Sequence, residues 1–309
     1  MALQVAKNLI SRSEAILIQR QFGNTGLMVS ALGFGAGQIG DPATPEADIS
    51  TLLNMALDAG INLIDTARGY GLSEERIGRN VAHRRNEYLL STKVGYGVPG
   101  MADWSYDCVE AGINLALKNL KTDVLDIVHL HSCPANTMLH NGVIEALENA
   151  REKGKVRVIA YSGENADLTW AVDSGRFGSV ECSVNIFDQA STMHTLPAAN
   201  ARGLGIIGKR PLGNAPWRHA TQPHGNYCET YWGRMNALAF NLHGMPWDEI
   251  ALRYATHAPG VSTAIVGTAS AKNLAHNIAL VEKGALAADV MKGLRERYAQ
   301  LGTHWPGEV

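Results

Sequence analysis

The stretch ADISTLLNMALDAGINLIDTA, residues 47–67, joins a helical pattern directly to a short apolar run. In its first part, apolar residues recur with the three- and four-residue spacing of one helix face, and Gly60 ends that pattern. These inward-facing residues are Ile49, Leu52, Leu53, Met55 and Ala56. The second part, INLIDTA, is apolar without alternation, which is typical of a strand covered on both faces. A helix that leads into such a strand is the building unit of a parallel α/β sheet.

The same unit recurs along the chain. Eight short runs rich in β-branched residues alternate with helical patterns such as MLHNGVIEALENAREKGK, residues 138–155. The runs are SALGFGA (30–36), INLIDTA (61–67), YLLSTKVG (88–95), LDIVHLHS (125–132), VRVIAYSG (156–163), SVECSVN (179–185), LGIIGKR (204–210) and STAIVGT (262–268). Eight such units favour a closed barrel over an open doubly wound sheet. We therefore predict an α/β fold of the (β/α)8 or TIM barrel type, with residues 1–309 forming a single domain.

Two segments fall outside this repeat. Residues 16–32, ILIQRQFGNTGLMVSAL, contain two short β patterns around a Gly-Asn-Thr-Gly turn, which predicts an N-terminal β-hairpin at the bottom of the barrel. The long segment 211–246 after the seventh run is a loop of a length that is usually functional or disordered. Its aromatic residues argue for order, so we expect it to wall the active site together with Trp104 and the C-terminal tail. These aromatic residues are Trp217, Tyr227, Tyr231 and Trp232.

Composition excludes several classes of partner. The formal net charge is −2 without clustered positive charge, so neither nucleic acid nor an acidic membrane surface is an expected partner. The four cysteines form no C-x-x-C pair, which argues against a zinc site and indicates free thiols in a reducing compartment. The N-terminus lacks the pattern of a signal peptide, and no run of about 18 apolar residues occurs, so we expect a cytoplasmic protein. The oligomeric state stays open, and a monomer is compatible with the sequence.

Polar residues at the ends of neighbouring runs form a set with a coherent chemistry. In a barrel, the strand ends and the loops that follow them carry the active site. Asp65 and Tyr70 follow the second run, while Lys93 and His131 lie near the ends of the third and fourth. A carbonyl that accepts hydride needs a proton, and a phenol, with a pKa of about 10, supplies it more readily when a nearby ammonium lowers that pKa. A carboxylate would hold the ammonium, and an imidazole would orient the carbonyl.

Each of these residues taken alone has an ordinary structural interpretation. Asp65 could cap a helix, Lys93 could be a solvated lysine, and a tyrosine in a loop is usually a packing residue. His129 lies two residues before His131, so both side chains point to the same face. We interpret His129, which lies deeper, as a hydrogen-bonded interior histidine. The occurrence of the set at adjacent strand ends favours catalysis.

These segments resemble the aldo-keto reductase family. GINLIDTARGYGLSEERIG, residues 60–78, is similar to the family signature, in which four residues separate Asp from Tyr. STKVG (91–95) and LDIVHLHS (125–132) are similar to the lysine and histidine segments of the family. The resemblance extends from FGNTGLMVSALGFG (22–35) to IVGTASAKNLAHNI (265–278).

The resemblance implies a catalytic tetrad of Asp65, Tyr70, Lys93 and His131. Tyr70 would be the general acid in reduction and the general base in oxidation. Lys93 and Asp65 would tune its acidity, and His131 would orient the carbonyl. The implied activity is NADP(H)-dependent reduction of aldehydes or ketones, with a small carbonyl compound or sugar as substrate.

A nicotinamide cofactor extended across the barrel mouth is also implied, in agreement with the lack of a strong G-x-G-x-x-G motif. Glu181 falls where the family usually has Gln, and an ionised Glu accepts but does not donate a hydrogen bond, so this contact is expected to change or to be lost. Lys209 and Arg210 could reach the pyrophosphate or the nicotinamide ribose, or could simply face solvent. The expected contacts are Gly35, Ala36, Asp65, Ser162, Glu181, Lys209, Arg210, Leu212, Gly213, Gly267, Thr268, Ser270, Lys272, Asn273 and Asn277.

The choice between NADP(H) and NAD(H) depends on the segment that opens the last helix. Many relatives carry an Arg there for the 2′-phosphate of NADP, whereas this chain has Ser270 and Asn273 at the two usual places. Backbone amides at a helix start favour phosphate, and Lys272 could replace the missing Arg as a point charge. We predict NADP(H), because Thr268, Ser270 and Lys272 together can bind the 2′-phosphate, and keep NAD(H) as the alternative.

Parts of the same sequence pattern also occur with three other functions. The same site run in the oxidative direction would make an NAD(P)-dependent aldose 1-dehydrogenase. The His-x-His pair at a strand end is also a metal-ligand pattern of barrel hydrolases, but the other strand ends offer Ser162, Asn185 and Lys209 instead of further ligands, so no metal is predicted. The intact tetrad argues against a cofactor-binding regulatory subunit with vestigial catalysis.

Overall fold

The computed structural model describes residues 17–309 of the chain. The strands are β1 (Gln19–Gln21), β2 (Met28–Ser30), β3 (Leu32–Gly35), β4 (Leu63–Asp65), β5 (Leu89–Val94), β6 (Leu125–His131), β7 (Val156–Ser162), β8 (Ser179–Ser183), β9 (Gly205–Lys209) and β10 (Thr263–Gly267). The expectation that the N-terminus is not a signal peptide concerns mainly residues 1–16, which lie outside the described part. For the same reason, a single domain over residues 1–309 stays a prediction.

Twelve α-helices surround or cap these strands in the described residues. They are α1 (Glu46–Asp58), α2 (Ser73–Asn80), α3 (Tyr106–Leu120), α4 (Ala135–His140), α5 (Val143–Glu152), α6 (Asn165–Ser174), α7 (Ala190–His194), α8 (Leu196–Ala201), α9 (Glu229–Leu238), α10 (Trp247–Thr256), α11 (Ala271–Glu282) and α12 (Ala288–Leu301). Short 3-10 turns lie at Gln38–Gly40, Ala82–Glu87 and Pro216–Arg218. No helix of residues 17–309 is long and apolar enough to cross a membrane.

The eight strands from β3 to β10 are all parallel and close into a barrel in chain order, because β10 pairs with both β9 and β3. Each predicted apolar run contains one of these strands, so the (β/α)8 prediction is confirmed. The register sets residues side by side across the barrel wall: Lys93 lies opposite His129, and Ser162 lies between His131 and Glu181. The polar positions read from separate runs therefore meet at one end of the barrel.

Helix α1 shows how the local sequence sets the packing. It starts after Pro45, carries Glu46 and Asp48 in its first turn, where the positive end of the helix dipole favours them, and ends before Gly60. All of its predicted inward-facing residues are buried. The single helix expected over residues 138–155 is instead two helices, α4 and α5. They are separated by Gly142, whose φ of 69° is a conformation that a helix interior does not allow.

The bottom of the barrel is closed by the N-terminal hairpin of β1 and β2, as predicted. Phe22, Leu27 and Val29 of this hairpin pack into a cluster with inward-facing residues of the barrel strands. At the turn, Gly23 has a φ of 55°, and a Cβ there would lie 2.4 Å from the carbonyl oxygen of Gly203. Only glycine allows so close an approach of the turn to the chain that leads into β9. The hairpin therefore closes this end of the barrel, and the cavity described below lies at the opposite end.

The long segment after β9 is ordered and contains a 3-10 turn and α9. Of its aromatic residues, Trp217 and Tyr227 line the cavity described below, whereas Tyr231 is fully buried beneath them. The Trp232 indole donates a hydrogen bond of 2.9 Å to the His219 carbonyl within the loop. Trp217 also stacks on Trp247 of α10, with ring centres 6.0 Å apart. Only part of the predicted aromatic wall therefore faces the ligand space.

Candidate active site

A cavity of about 1300 Å³ opens at the C-terminal ends of the barrel strands. The predicted tetrad residues Asp65, Tyr70 and His131 line it, and Lys93 lies buried directly beneath. The position agrees with the location of active sites in barrels of this type. The four residues expected to act together therefore share one site.

The buried ion pair of Lys93 and Asp65 forms the floor of the site. Lys93 Nζ donates to Asp65 Oδ2 at 2.5 Å and to the carbonyl oxygen of Thr66 at 3.1 Å. Both side chains are about 1% exposed. Since an ion pair this deep gains its stability from close geometry and satisfied hydrogen bonds, the lysine is fixed in place and charged. The pKa of Lys93 is accordingly raised, because the attraction of Asp65 and Glu181 outweighs burial.

A second carboxylate reaches the same lysine from the other side. Glu181 on β8 places Oε1 3.4 Å from Lys93 Nζ and accepts a 3.3 Å hydrogen bond from Ser162 Oγ. Two carboxylates thus share one ammonium in a buried space. Burial and the charge of Glu181 raise the pKa of Asp65 to about 7, against the lowering effect of Lys93. Burial also acts to raise the pKa of Glu181, but Lys93, His129 and Lys209 lower it to about 2.

His129 is an interior histidine, as predicted. Ser91 Oγ donates to Asp65 Oδ1 at 2.8 Å and lies 3.1 Å from His129 Nε2. The serine hydroxyl has one proton and donates it to Asp65, so it accepts a hydrogen bond from His129 Nε2. The imidazole proton is therefore on Nε2. Burial lowers the pKa of His129 to about 4, so the ring is neutral at physiological pH.

Tyr70 is held beside the ammonium and the second histidine. Lys93 Nζ lies 5.2 Å from the centre of the Tyr70 ring, and the ring meets His131 edge-on at 6.1 Å. The sequence predicts that Lys93 lowers the pKa of Tyr70, and this is the largest single influence on it. Burial, Asp65 and Glu181 act in the opposite direction, and together they raise the pKa of Tyr70 to about 12.

Tyr96 is a site residue that the sequence interpretation missed. Its hydroxyl lies 2.7 Å from His131 Nδ1, and its ring stacks on the imidazole with centres 5.1 Å apart. Burial raises the pKa of Tyr96 and lowers that of His131 to about 3, so a neutral phenol faces a neutral imidazole. The two groups share one hydrogen bond, and the tautomer of His131 determines which of them is the donor. The signal available in the sequence is a tyrosine three residues beyond the lysine of β5.

Most of the expected cofactor residues lie around this cavity. Those that line it are Gly35, Ala36, Asp65, Glu181, Lys209, Arg210, Leu212, Gly267, Thr268, Asn273 and Asn277. Four others do not belong to its lining: Ser162, Gly213, Ser270 and Lys272. Ser162 is held beneath Glu181. Gly213 has a φ of 52° and its Cα faces Phe187 so closely that a Cβ would lie 2.6 Å from that ring. It shapes the turn after β9.

Lys209 and Arg210 face inward, not toward solvent. Lys209 Nζ lies 3.3 Å from the buried carboxylate of Glu164. Arg210 donates to Ser183 Oγ at 3.0 Å, to the Tyr227 hydroxyl at 2.8 Å and to the backbone carbonyl of Glu308. One guanidinium thus joins a barrel strand, the long loop and the C-terminal tail beside the cavity.

The tail is fastened across the mouth by further buried polar groups. Gly307 donates to and accepts from the Asn165 side chain, at 2.7 and 3.0 Å. The Glu308 amide donates to Asp188 at 2.9 Å, and Arg234 donates to the Pro306 carbonyl at 2.7 Å. The tail therefore forms part of the site, as the sequence predicts.

The far end of the cavity lies at the start of α11. Ser270 caps this helix, because its hydroxyl accepts from the Asn273 amide at 3.4 Å. Lys272 is exposed on the outer side. A pair that was not expected, Asp248 and His276, lines the cavity here with 2.7 Å between Asp248 Oδ2 and His276 Nε2.

The comparison with protein families decides the identity. A family model described as the aldo/keto reductase family matches residues 31–299. The chain belongs to the aldo-keto reductase family. It is 30% identical over 280 residues to L-galactose dehydrogenase of Arabidopsis thaliana, covering 85% of this chain and 87% of that protein. It is 25% identical over 300 residues to D-threo-aldose 1-dehydrogenase of a Pseudomonas species, covering 82% and 89%.

Solved structures of aldo-keto reductases share the fold. The holo form of the aldo-keto reductase AKR11C1 from Bacillus halodurans has a TM-score of 0.79 and 25% identity, covering 91% of this chain and 96% of that one. As a member of this family, the protein is an oxidoreductase. Its oxidoreductase relatives act on small molecules. The family generally uses a nicotinamide cofactor.

Membership of the aldo-keto reductases also bears on the metal-hydrolase alternative. Asp65, His129 and Glu181 place potential ligand atoms within 4.8 Å of one another. The Lys93 ammonium, however, contacts both carboxylates, so a cation already balances this cluster. The His-x-His pair does not converge either, because His131 turns to Tyr96 while His129 turns to Ser91. The cluster is best described as an ion-pair network beneath the catalytic cavity.

Proposed function

We propose that the protein transfers a hydride between a nicotinamide nucleotide and a carbonyl or hydroxyl carbon of a small polar substrate. The observation that carries this proposal is the placement of Tyr70 between buried Lys93 and His131 on the wall of a single large cavity. Reduction of an aldehyde or ketone, with Tyr70 as general acid, is the direction that the sequence predicts. Oxidation of an aldose at C1 uses the same residues in reverse.

The cavity fits a dinucleotide together with a substrate. Its volume of about 1300 Å³ exceeds the roughly 300–1000 Å³ of pockets that hold one drug-sized molecule. It extends from Gly35 at the end of β3 to Asn277 on α11, which suits an elongated ligand. Glu181 lines its floor, and Oε2 of this side chain has no hydrogen-bond partner among residues 17–309, so the carboxylate can accept from an amide donor. A nicotinamide bound there would supply or accept the hydride.

The four tetrad residues divide the proton chemistry among them. In reduction Tyr70 gives its phenolic proton to the carbonyl oxygen, and in oxidation its phenolate takes the hydroxyl proton. Lys93 favours the phenolate, and Asp65 keeps Lys93 charged and oriented. His131 is neutral, and with Tyr96 donating to Nδ1 its proton lies on Nε2, from which it donates a hydrogen bond that positions the substrate oxygen. At neutral pH, with a pKa of about 12, Tyr70 retains its proton.

Replacement of Tyr96 by Phe tests the role of the histidine. The phenyl ring keeps the stacking on His131 but no longer donates to Nδ1, so the imidazole is free to change its tautomer. We expect kcat to fall about tenfold, the size of one lost hydrogen bond, while the Kd of the cofactor changes little. Since the lost bond stabilised neutral imidazole, the pKa of His131 rises and the acid limb of the kcat/KM profile moves to higher pH. An unaltered pH profile and kcat would show that Tyr96 only packs against the ring.

The lining of the cavity gives less support to NADP(H) as the cofactor than the sequence does. Two of the three residues expected at the 2′-phosphate, Ser270 and Lys272, lie outside the cavity lining, and Ser270 is used as a helix cap. The Asp248 carboxylate lines the same end and would repel an added phosphate, whereas it could accept a hydrogen bond from a ribose hydroxyl. We therefore propose that NAD(H) binds at least as well as NADP(H).

A sugar is the substrate class that the lining supports. Trp217 and Tyr227 present aromatic surfaces, and polar side chains such as Asn214, Asn226 and Arg218 stand beside them. Aromatic faces with adjacent hydrogen-bonding groups suit polyhydroxylated ligands. L-galactose dehydrogenase and D-threo-aldose 1-dehydrogenase, two relatives named above, support the aldose alternative.

One set of measurements tests this function. Titration of tryptophan fluorescence should show NADH binding no more weakly than NADPH, because the Asp248 carboxylate lines the end of the cavity expected to take the extra phosphate, whereas Lys272 does not line the cavity. Steady-state assays should then show oxidation of aldoses by the preferred oxidised nucleotide. Selective binding of NADPH, or reduction of simple aldehydes without oxidation of any aldose, would return the assignment to the NADP(H) reductase. Binding of no nucleotide would contradict hydride transfer.

A further inference from the structure

Glu181 lies where several buried groups converge, and one of its oxygens is unsatisfied. Oε1 has two neighbours, the Ser162 hydroxyl at 3.3 Å and Lys93 Nζ at 3.4 Å. Oε2 has no hydrogen-bond partner among the described residues, and the nearest cationic candidate, His129 Nε2, is 3.7 Å away. That imidazole proton is directed to Ser91. A buried carboxylate oxygen without a donor is costly. Since Glu181 lines the cavity, this oxygen indicates a partner that the described residues do not supply.

The charges around Glu181 leave the floor of the cavity negative. Lys93 is one positive charge facing two carboxylates, and Lys209 is already paired with Glu164. The groups that face Glu181 are Asp65 on β4, Ser91 and Lys93 on β5, His129 and His131 on β6, Ser162 on β7 and Lys209 on β9. Both histidines are neutral above a pH of about 4, because burial lowers the pKa of each. Once both carboxyls are ionised, the Asp65–Lys93–Glu181 cluster carries one net negative charge.

We propose that Glu181 makes the site discriminate between the two redox states of the cofactor and bind the oxidised nicotinamide more tightly, so that the enzyme is loaded with the oxidised form when both forms are present. The inference rests on the function proposed above. The oxidised pyridinium ring is positively charged and the reduced ring is neutral, whereas both carry the same carboxamide donor. Glu181 can accept from that donor in either state, but its charge attracts only the oxidised ring.

A glutamine at this position would accept the same hydrogen bond without the charge. The difference between the two side chains is therefore electrostatic and not geometric. A full charge about 4 Å from the ring, at an effective dielectric constant of about 20, would favour the oxidised state by up to about a thousandfold. Partial neutralisation by Lys93 reduces this, so we expect about tenfold.

The oxidation that an enzyme loaded in this way carries out balances without any other reactant. Tyr70 first releases its own proton to solvent. The carbon of the substrate alcohol then loses a hydride to the nicotinamide, and the Tyr70 phenolate takes the hydroxyl proton. The substrate is oxidised by two electrons to a carbonyl, or to a lactone when the carbon is C1 of a cyclic aldose. The nicotinamide is reduced by the same two electrons.

The test is a comparison of dissociation constants in the wild type, Glu181→Gln and Glu181→Asp. The Kd values of NAD⁺ and NADH are measured by fluorescence titration or calorimetry in the absence of substrate. We expect the ratio of the NADH Kd to the NAD⁺ Kd to fall about tenfold in Glu181→Gln and to stay near the wild-type value in Glu181→Asp, which keeps the charge. In the wild type the ratio should be larger at pH 8.5 than at pH 6, because Asp65 loses its proton in this interval.

Equal ratios in the wild type and Glu181→Gln would overturn the inference while leaving the proposed function intact. A fall of the same size in Glu181→Asp would also overturn it, since it would show that shape and not charge sets the ratio. Failure of the wild type to bind either nucleotide would overturn the proposed function, and the inference with it. Should Glu181→Gln fail to fold, the pH dependence of the wild-type ratio and the Glu181→Asp result decide the question.

Discussion

Tyr70→Phe should abolish almost all turnover while leaving cofactor affinity within a few fold. The variant removes one hydroxyl and keeps the ring that lies against Lys93 and His131. Loss of a positioned proton donor or acceptor costs roughly 10²- to 10⁴-fold in rate. We expect kcat to fall by that amount in both directions of the reaction. Steady-state assays and fluorescence titration with the cofactor provide the two readouts.

The matched control is Tyr106→Phe. The Tyr106 hydroxyl accepts a 2.6 Å hydrogen bond from Asn149, away from the cavity, so its removal changes the chemistry of the chain equally but not the site. Activity of this variant should equal that of the wild type. If Tyr70→Phe kept more than about a tenth of the wild-type kcat, the proton would have to come from another group, and the tetrad assignment would be wrong.

Lys93→Met should cause a large loss of stability as well as of activity. Methionine matches the length of the lysine stem but leaves two buried carboxylates without their cation. Removal of one partner from a buried ion pair typically costs about 3–5 kcal/mol of unfolding free energy. Urea denaturation followed by circular dichroism measures this quantity.

The loss of unfolding free energy in Lys93→Met should also depend on pH, and the two carboxyl groups determine whether it grows or shrinks as the pH rises. Without Lys93, the pKa values of Asp65 and Glu181 both rise, so the folded variant binds more protons than its unfolded chain at pH values above the ordinary pKa of about 4. Its stability therefore falls as the pH rises, and the deficit relative to the wild type should be greater at pH 8 than at pH 5. In the control Lys153→Met, which removes an exposed pair with Glu110 at 3.3 Å, the loss should stay below about 1 kcal/mol. A pH-independent loss of similar size in both variants would contradict this account of the buried cluster.

The barrel and the meeting of the four predicted tetrad residues at one end of it were predictable, because each depends on short, local patterns. Non-alternating apolar runs mark strands buried on both faces, and the C-terminal ends of such strands meet in any closed parallel barrel. For this reason Asp65, Lys93 and His131, which are far apart in sequence, could be assigned to one site before any contact was known. The family resemblance supplied their individual roles, which the residue types alone left open.

Features that depend on side-chain direction were not predictable. Ser270 was expected at a phosphate, but its position one residue before α11 makes helix capping the nearer use of its hydroxyl. Tyr96 and Asp248 were missed, because each acts through a histidine from another element. The presence of Glu181 in place of the usual Gln was visible in the sequence. Its contact with Lys93, however, depends on the register of β5, β7 and β8. Gly142 divided a predicted helix because its left-handed backbone overrides the flanking helical pattern.

The fastening of the tail has a practical consequence for anyone who handles this protein. Pro306, Gly307 and Glu308 are held by side chains from three separate parts of the mouth, and Val309 borders the cavity. A purification tag or reporter fused after Val309 would emerge beside the bound ligands and compete with the docking of the last residues. A tag at the other terminus precedes the hairpin that seals the opposite end of the barrel. Residues added after Val309 would thus alter the apparent affinity of the enzyme for its ligands without any change in the residues predicted to be catalytic.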